Sequence, residues 1–200
     1  FDELLLMGDL AVLQGRISAS DPTLTQEEID FFNENSAFFF ENAAFALQDD
    51  VPYNLDAWDG YGAERDQILS AAVDAGANLV VLAGDTHNAW ANNLTVEETA
   101  AGVEFATASV SSPGLEDFLG LTASDDPLAA AQVFEGALPG LIGGLRYANL
   151  LDRGFMTVTF TASEVTADWT YVSDILADDY TLLADRSRSI TVPAGANTIG

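Results

Sequence analysis

Apolar residues fall along this chain in runs of recognisable period, separated by turn formers. Leu4–Met7 and Leu10–Leu13 are short apolar runs, and Gly8-Asp9 between them is a hairpin signal. Ser18–Thr25 is a polar loop containing Pro22. Thr25-Gln26-Glu27-Glu28 then has the spacing of a capping box and predicts a helix running to about Gln48. Ile29, Phe32, Phe39, Phe40 and Ala43 would form its apolar face. A loop over 49–61 with Pro52, Asn54 and Gly60 precedes a second predicted helix, from about Gly62 to Ala75. Its inward residues would be Ile68, Leu69, Ala72 and Val73, and Gly76 is well placed to end it. Leu79–Ala83 is an unbroken apolar run with β-branched members, the pattern of a strand buried on both faces. Helix followed by buried strand makes half of a β-α-β unit.

Beyond that strand the pattern loosens. Asn92–Gly102 reads as a polar stretch, Val103–Ala108 as a strand, and Ser109–Gly114 as a turn-rich loop at another strand end. Leu115–Gly144 is irregular, with two or three short helices, and Leu138–Gly144 reads as a connector or lid. Gly154–Thr161 and Val165–Val172 form the clearest antiparallel hairpin, turning at Thr161–Glu164, with Met156, Val158 and Phe160 on one face. The tail after Asp174 is mixed polar, with a further strand at Ser189–Val192. There is no internal repeat. Together these elements predict an α/β fold (α+β by some definitions), with a first unit over 1–174 and a C-terminal extension over 175–200.

Polar chemistry enters at one strand end. Gly84-Asp85-Thr86-His87 follows directly on the Leu79–Ala83 run, and open α/β sheets bind ligands just outside the C-terminal ends of their strands. In an extended segment Asp85 and His87 would project to the same side and bring an oxygen and a nitrogen donor to one point. Gly84 would let the backbone turn there. His87 is the only histidine, so a Ser-His-Asp triad built on the nearby serines has no second imidazole to draw on. The bland reading of His87 is a satisfied loop residue; the order strand–Gly–Asp–x–His favours metal ligation. Arg16 reads either as a surface ion pair or as an anion contact. Arg65, in the first turn of the second helix, opposes the helix dipole and calls for a carboxylate partner. Trp90 packs under the Asp85–His87 loop or faces a substrate.

Composition narrows the setting. Across 200 residues, 48% hydrophobic content argues for a packed globule despite a net charge of −26. All six cations are arginines, and the acid is spread along the chain, giving a surface that repels nucleic acid and anionic membranes and could gather calcium. The absence of cysteine excludes disulfides and thiolate ligands within the chain. No stretch has the length of a transmembrane helix. The chain begins at Phe1, with neither an initiator methionine nor a signal-peptide pattern, which suggests a processed N-terminus or a segment of a longer protein.

Several stretches together resemble one family. Gly84-Asp85-Thr86-His87-Asn88-Ala89-Trp90 is similar to the G-D-x-H-x-x-W motif of PhoD-like alkaline phosphatases, within the calcineurin-like metallophosphoesterase superfamily. Trp58-Asp59-Gly60-Tyr61 with Arg65 resembles the family's W-D-G-Y…R segment. Glu104-Phe105 through Gly114 resembles E-F-x-x-x-S-x-x-S-x-G, and Arg153-Gly154-Phe155 resembles its R-G-Y strand. Gly8-Asp9-Leu10 through Arg16 resembles G-D-L…L-D-T-R, with Gln14-Gly15 in place of D-T. The family's N-terminal metal motifs, with their further Asp, Asn and Tyr ligands and often a Cys, are absent. The resemblance therefore implies the C-terminal half of a two-sheet sandwich flanked by helices, whose partner is the N-terminal half of the same enzyme. It implies hydrolysis of a small phosphate ester at a metal cluster, with Asp85 and His87 as ligands and Arg16 and Arg65 as phosphate contacts. It also implies calcium and iron, with zinc or manganese as alternatives, and a periplasmic, extracellular or cell-surface location. The competing expectation is a non-catalytic acidic domain that binds calcium or acts at the cell surface, with a decayed metal site.

Overall fold

The computed structural model describes residues 10, 13, 16, 17, 21–46 and 57–200, with the side chains of 38–46 and 141 excepted. Helix α1 spans Gln26–Ala46. Its start is the capping box that the sequence predicts: the Glu28 backbone N–H donates to Thr25 Oγ1 at 3.2 Å, and the Thr25 N–H donates to Glu28 Oε2 at 2.8 Å. The hairpin expected over Leu4–Leu13 lies outside the described residues except for Leu10 and Leu13. Both are helical, so at these two positions the expected strand is not found. Leu10, Leu13 and Ile17 follow helical spacing and pack with Phe32 of α1. The side chains of Phe39, Phe40 and Ala43 lie outside the described residues.

Helix α2 spans Gly62–Asp74 and ends as expected at Gly76, whose φ of +59° suits glycine. The Ala77 N–H reaches Ala72 O at 2.9 Å and the Gly76 N–H reaches Val73 O at 3.0 Å, the paired bonds of a Schellman motif. α2 packs on the first sheet through buried Leu69, whereas Ile68, expected inside, is 45% exposed.

That sheet runs in the order β1-β3-β2-β4: β1 Leu79–Ala83, β2 Ala89–Val96, β3 Thr99–Ala106 and β4 Leu145–Asn149. β1 and β3 are parallel; the other pairs are antiparallel. β1 is found where predicted, but it is not buried on both faces. Among the described residues it is an edge strand, and Leu82 is 53% exposed. The supposed polar stretch after Asn92 is in fact the hairpin β2–β3. Its turn residues Glu97 and Glu98 both have positive φ, as a two-residue primed turn requires, although neither is the usual Asn or Gly. Asn93 stands on the inner face opposite Val103, where its Oδ1 accepts from the Ile199 N–H at 2.6 Å.

The second sheet has the order β5-β6-β7: β5 Arg153–Phe160, β6 Glu164–Val172 and β7 Arg188–Pro193. The predicted hairpin turn is present, with the Thr161 N–H bonded to Glu164 O at 2.9 Å. The core lies between the two sheets. Phe105 meets Trp169 edge-on at 5.7 Å between ring centroids, and Trp169 Nε1 donates to Ala106 O at 2.9 Å, so the buried indole leaves no orphan donor. Gly154 allows the close approach of β6, since a Cβ there would meet Thr170 O at 2.0 Å. Tail residues Ile190, Val192 and Ile199 are part of this core.

After a single-turn helix α3 (Leu115–Phe118), helix α4 covers Pro127–Leu141. Asp126 caps α4 by accepting from the Ala129 N–H at 3.0 Å, and Pro127 occupies its first turn. The region read as a lid is thus largely the end of a helix that tolerates Pro139 in its last turn. The fold is α/β: two sheets face to face, with helices beside them.

Candidate metal centre

The site grows from the end of β1. Gly84 does not take up the turn: its φ is not positive, and nothing lies within 4 Å of where a Cβ would be. The following residues do so instead. Asp85 has φ +68° and His87 has φ +63°, with the Thr86 N–H bonded to Gly84 O at 2.8 Å. The loop is therefore not extended, and the alternation that would have aimed both side chains the same way does not apply. Left-handed backbone at residues with a Cβ costs on the order of 1–3 kcal/mol each and persists where the surroundings over-determine it.

The surroundings do so here. The His87 carbonyl accepts from the Ser109 N–H at 3.0 Å, and Trp90 Nε1 donates to Thr86 Oγ1 at 2.9 Å. Trp90 also packs against the apolar cluster of Leu121, Phe134 and Leu150, so it anchors the loop from beneath. Asn88 is 1% exposed; its Oδ1 accepts from the Leu115 N–H at 2.8 Å, and its Nδ2 donates to Leu150 O at 2.7 Å and to Glu116 Oε2 at 2.9 Å. One buried amide thus ties the loop to α3 and to the end of β4.

One ring nitrogen of the imidazole is committed to a backbone carbonyl. His87 Nδ1 lies 2.7 Å from Pro113 O. A carbonyl only accepts, so Nδ1 carries the proton, and in the neutral ring the lone pair is then on Nε2. The carboxylate of Asp85 is exposed, with no hydrogen bond among the described residues. This donor set fits a metal: one free imidazole nitrogen and one free carboxylate at the same strand end. Among the described residues no group of three His, Asp or Glu side chains converges, so these two do not hold an ion unaided.

The predicted arginines are committed elsewhere. Arg16 Nε donates to Asp21 Oδ2 at 2.8 Å, and Arg16 Nη1 also binds Glu28 at the start of α1. Arg65 pairs with Asp59, while its Nε, buried and without a hydrogen bond, is 3.6 Å from Asp66. No described hydrogen bond or ion pair links either arginine to Asp85 or His87. A cavity of about 120 Å³, bounded by Leu79, Val80, Phe160 and Val165, lies at the start of β1, away from the Asp85 end of that strand.

Asn88, Glu116 and Arg153 complete the arrangement; of these only Arg153 matches a named motif position, and the motif gave it no role at this site. Glu116 is 1% exposed and accepts from Asn88, from the Gly114 N–H at 2.9 Å and from Arg153. Burial alone would push its carboxyl up. The bonds from Gly114, Asn88 and Arg153 outweigh burial and hold it below the usual carboxylate range, so it is ionised at neutral pH.

Residues 16–169 match the model of the PhoD-like phosphatase family. This chain belongs to the PhoD-like phosphatases. It is similar to alkaline phosphatase D of Bacillus subtilis (strain 168), with 41% identity over 68 residues, which is 31% of this chain and 12% of that protein. It is also similar in fold to a solved structure of PhoD, with a TM-score of 0.53 and 22% identity over 74% of this chain and 27% of the other. The chain thus spans a minor part of the length of both relatives.

Proposed function

We propose that the PhoD-like protein to which this chain belongs hydrolyses phosphate esters at a metal cluster, and that Asp85 and His87 are two of its ligands. The observation that carries this reading is the 2.7 Å contact between His87 Nδ1 and Pro113 O, which in the neutral ring leaves the lone pair on Nε2, two residues from the exposed Asp85. Asp85 is a hard oxygen donor suited to calcium or ferric iron, and His87 suits a transition metal, zinc and manganese included. A bound metal pair would supply an activated water and neutralise phosphoryl charge. Within this chain hydrogen bonds from Ser109, Trp90 and His87 itself brace the loop that carries both residues. Arg16 and Arg65 remain candidate phosphate contacts only if they leave their carboxylate partners.

The remaining ligands would come from the N-terminal part of the same enzyme. An apolar edge strand with no charged gatekeeper and a half-exposed Leu82 supports a partner segment along β1. The substrate is a small phosphate ester. The proposal includes a periplasmic, extracellular or cell-surface setting by family resemblance; among the described residues no helix is long and apolar enough to cross a membrane. The competing reading, a non-catalytic calcium-binding or cell-surface domain, draws on the lack of a third ligand among the described residues. Turnover of an aryl phosphate monoester and of the matching diester by the complete polypeptide, with Asp85→Ala and His87→Ala, decides between them. Both variants are expected to lose activity by orders of magnitude together with bound metal; undiminished turnover sinks the proposal.

A further inference from the structure

The Pro113–Gly114 peptide unit has a hydrogen bond at each end. Its carbonyl accepts from His87 Nδ1 at 2.7 Å, and its N–H donates to Glu116 Oε1 at 2.9 Å. The unit is planar and trans, so C=O and N–H point in opposite directions, with the imidazole on one side and the carboxylate on the other. A carboxylate on the N–H polarises the amide and strengthens its carbonyl as an acceptor, because linked hydrogen bonds reinforce one another. Glu116 is fully buried and fixed from two further directions, by Arg153 and by Asn88 Nδ2 at 2.9 Å. Gly114 closes the arrangement: a Cβ there would lie 2.6 Å from Asn88 Oδ1, so no larger residue fits between the relay and the amide that braces it.

We propose that Glu116 is a positioning residue of the metal site, acting through the Pro113–Gly114 peptide to hold His87 in the Nδ1–H tautomer with Nε2 free for a metal ion. Metal-bound histidines commonly donate their second ring proton to a carboxylate or a carbonyl. Here the two are in series, with the buried charge one peptide away from the ring. The proposal rests on the reading of His87 as a ligand. A bracing ion pair alone would require the Glu116–Arg153 contact but not the bond to Gly114.

The test uses the complete natural polypeptide, stripped of metal and labelled with 15N in histidine and glycine, the His87 signals being identified by their loss in His87→Gln and the Gly114 amide by its loss in Gly114→Ala. The wild type is expected to show a protonated Nδ1, an unprotonated Nε2 and a downfield, exchange-protected Gly114 amide proton. In Glu116→Gln the Nε2–H tautomer is expected to appear, and manganese(II) affinity to fall by about tenfold, in the usual range for loss of such a partner. A wild-type Nε2–H tautomer overturns the relay, as does a Glu116→Gln protein with unchanged tautomer and unchanged manganese affinity. If Glu116→Gln fails to fold, the wild-type spectrum decides: an unperturbed Gly114 amide proton overturns the proposal, and a downfield one supports it. A protein that hydrolyses no phosphate ester yet shows the Nδ1–H tautomer, lost in Glu116→Gln, upholds the relay and removes the phosphatase reading alone.

Discussion

Gly84 and Gly114 both stand in the stretches that carry the family resemblance, yet substituting them should have opposite consequences. Gly114→Ala puts a methyl group 2.6 Å from Asn88 Oδ1, 2.8 Å from Nδ2 and 2.9 Å from Cγ. Its φ of −127° is open to any residue, so the cost is steric rather than a matter of backbone strain. If Asn88 holds its place, overpacking costs about 1–3 kcal/mol. If it yields, the bonds to the Leu115 N–H, Leu150 O and Glu116 weaken, each worth about 1 kcal/mol. Either way the loss is about 1–3 kcal/mol, a large share of the ~5–15 kcal/mol that holds a typical domain. At Gly84 nothing lies within 4 Å of an added Cβ and φ is not positive, so Gly84→Ala should stay within about 0.5 kcal/mol of wild type. The assay is urea unfolding followed by fluorescence, with Trp169 as a core reporter that is 1% exposed. For an m-value of about 2 kcal/mol/M, Gly114→Ala should lower the midpoint by about 0.5–1.5 M. Equal midpoints for the two variants, or a larger loss at Gly84, would refute the packing argument.

Other outcomes follow from the same contacts. Asp21 is held down to about 2 by Arg16 and then Thr23, and Glu28 to about 2 by the Thr25 N–H and then Arg16. Depressed carboxyls stabilise the fold above their ordinary range, so the start of α1 should loosen as pH falls from about 4 toward about 2, seen as faster amide exchange over residues 25–28. Burial, and after it the charge of Asp59, pushes the Glu104 carboxyl up, with Asn92 opposing. A raised carboxyl costs stability as pH rises through its titration, so Glu104→Gln should raise Tm at pH 7 and lose that advantage at pH 4. Leu82→Lys should change the stability of these 200 residues alone by no more than about 0.5 kcal/mol, because Leu82 is 53% exposed, yet should disrupt the complete polypeptide. Equal tolerance in both would remove the argument for a partner segment along β1.

Much of the candidate site is legible in the sequence, for a local reason. A strand end followed at once by glycine, carboxylate and imidazole announces itself within a few residues. The ion pairs of Arg16 and Arg65 were equally readable, since their carboxylate partners lie close by in sequence. Glu116 was not. It stands in a short helical turn among ordinary surface types, and only its partners, the buried Asn88 and the half-buried Arg153, 28 and 37 positions away, give it a role. The β2 strand was hidden for a similar reason: Asn93 breaks the apolar alternation, and its partner is Ile199, 106 positions away.

By itself the sequence determined what depends on near neighbours: the capping box at Thr25, the left-handed stop at Gly76, the β1 run, the β5–β6 hairpin and its turn, and the β7 strand. Tertiary structure decided what depends on closure. It placed β3 between β1 and β2, left β1 at an edge, turned Ile68 outward and drove Asp85 and His87 into the left-handed region. Period and turn chemistry act over a few residues, so they survive in a bare sequence. Pairing order and the hydrogen bonds of a buried loop depend on segments brought together only by folding, and there the environment outweighs local preference.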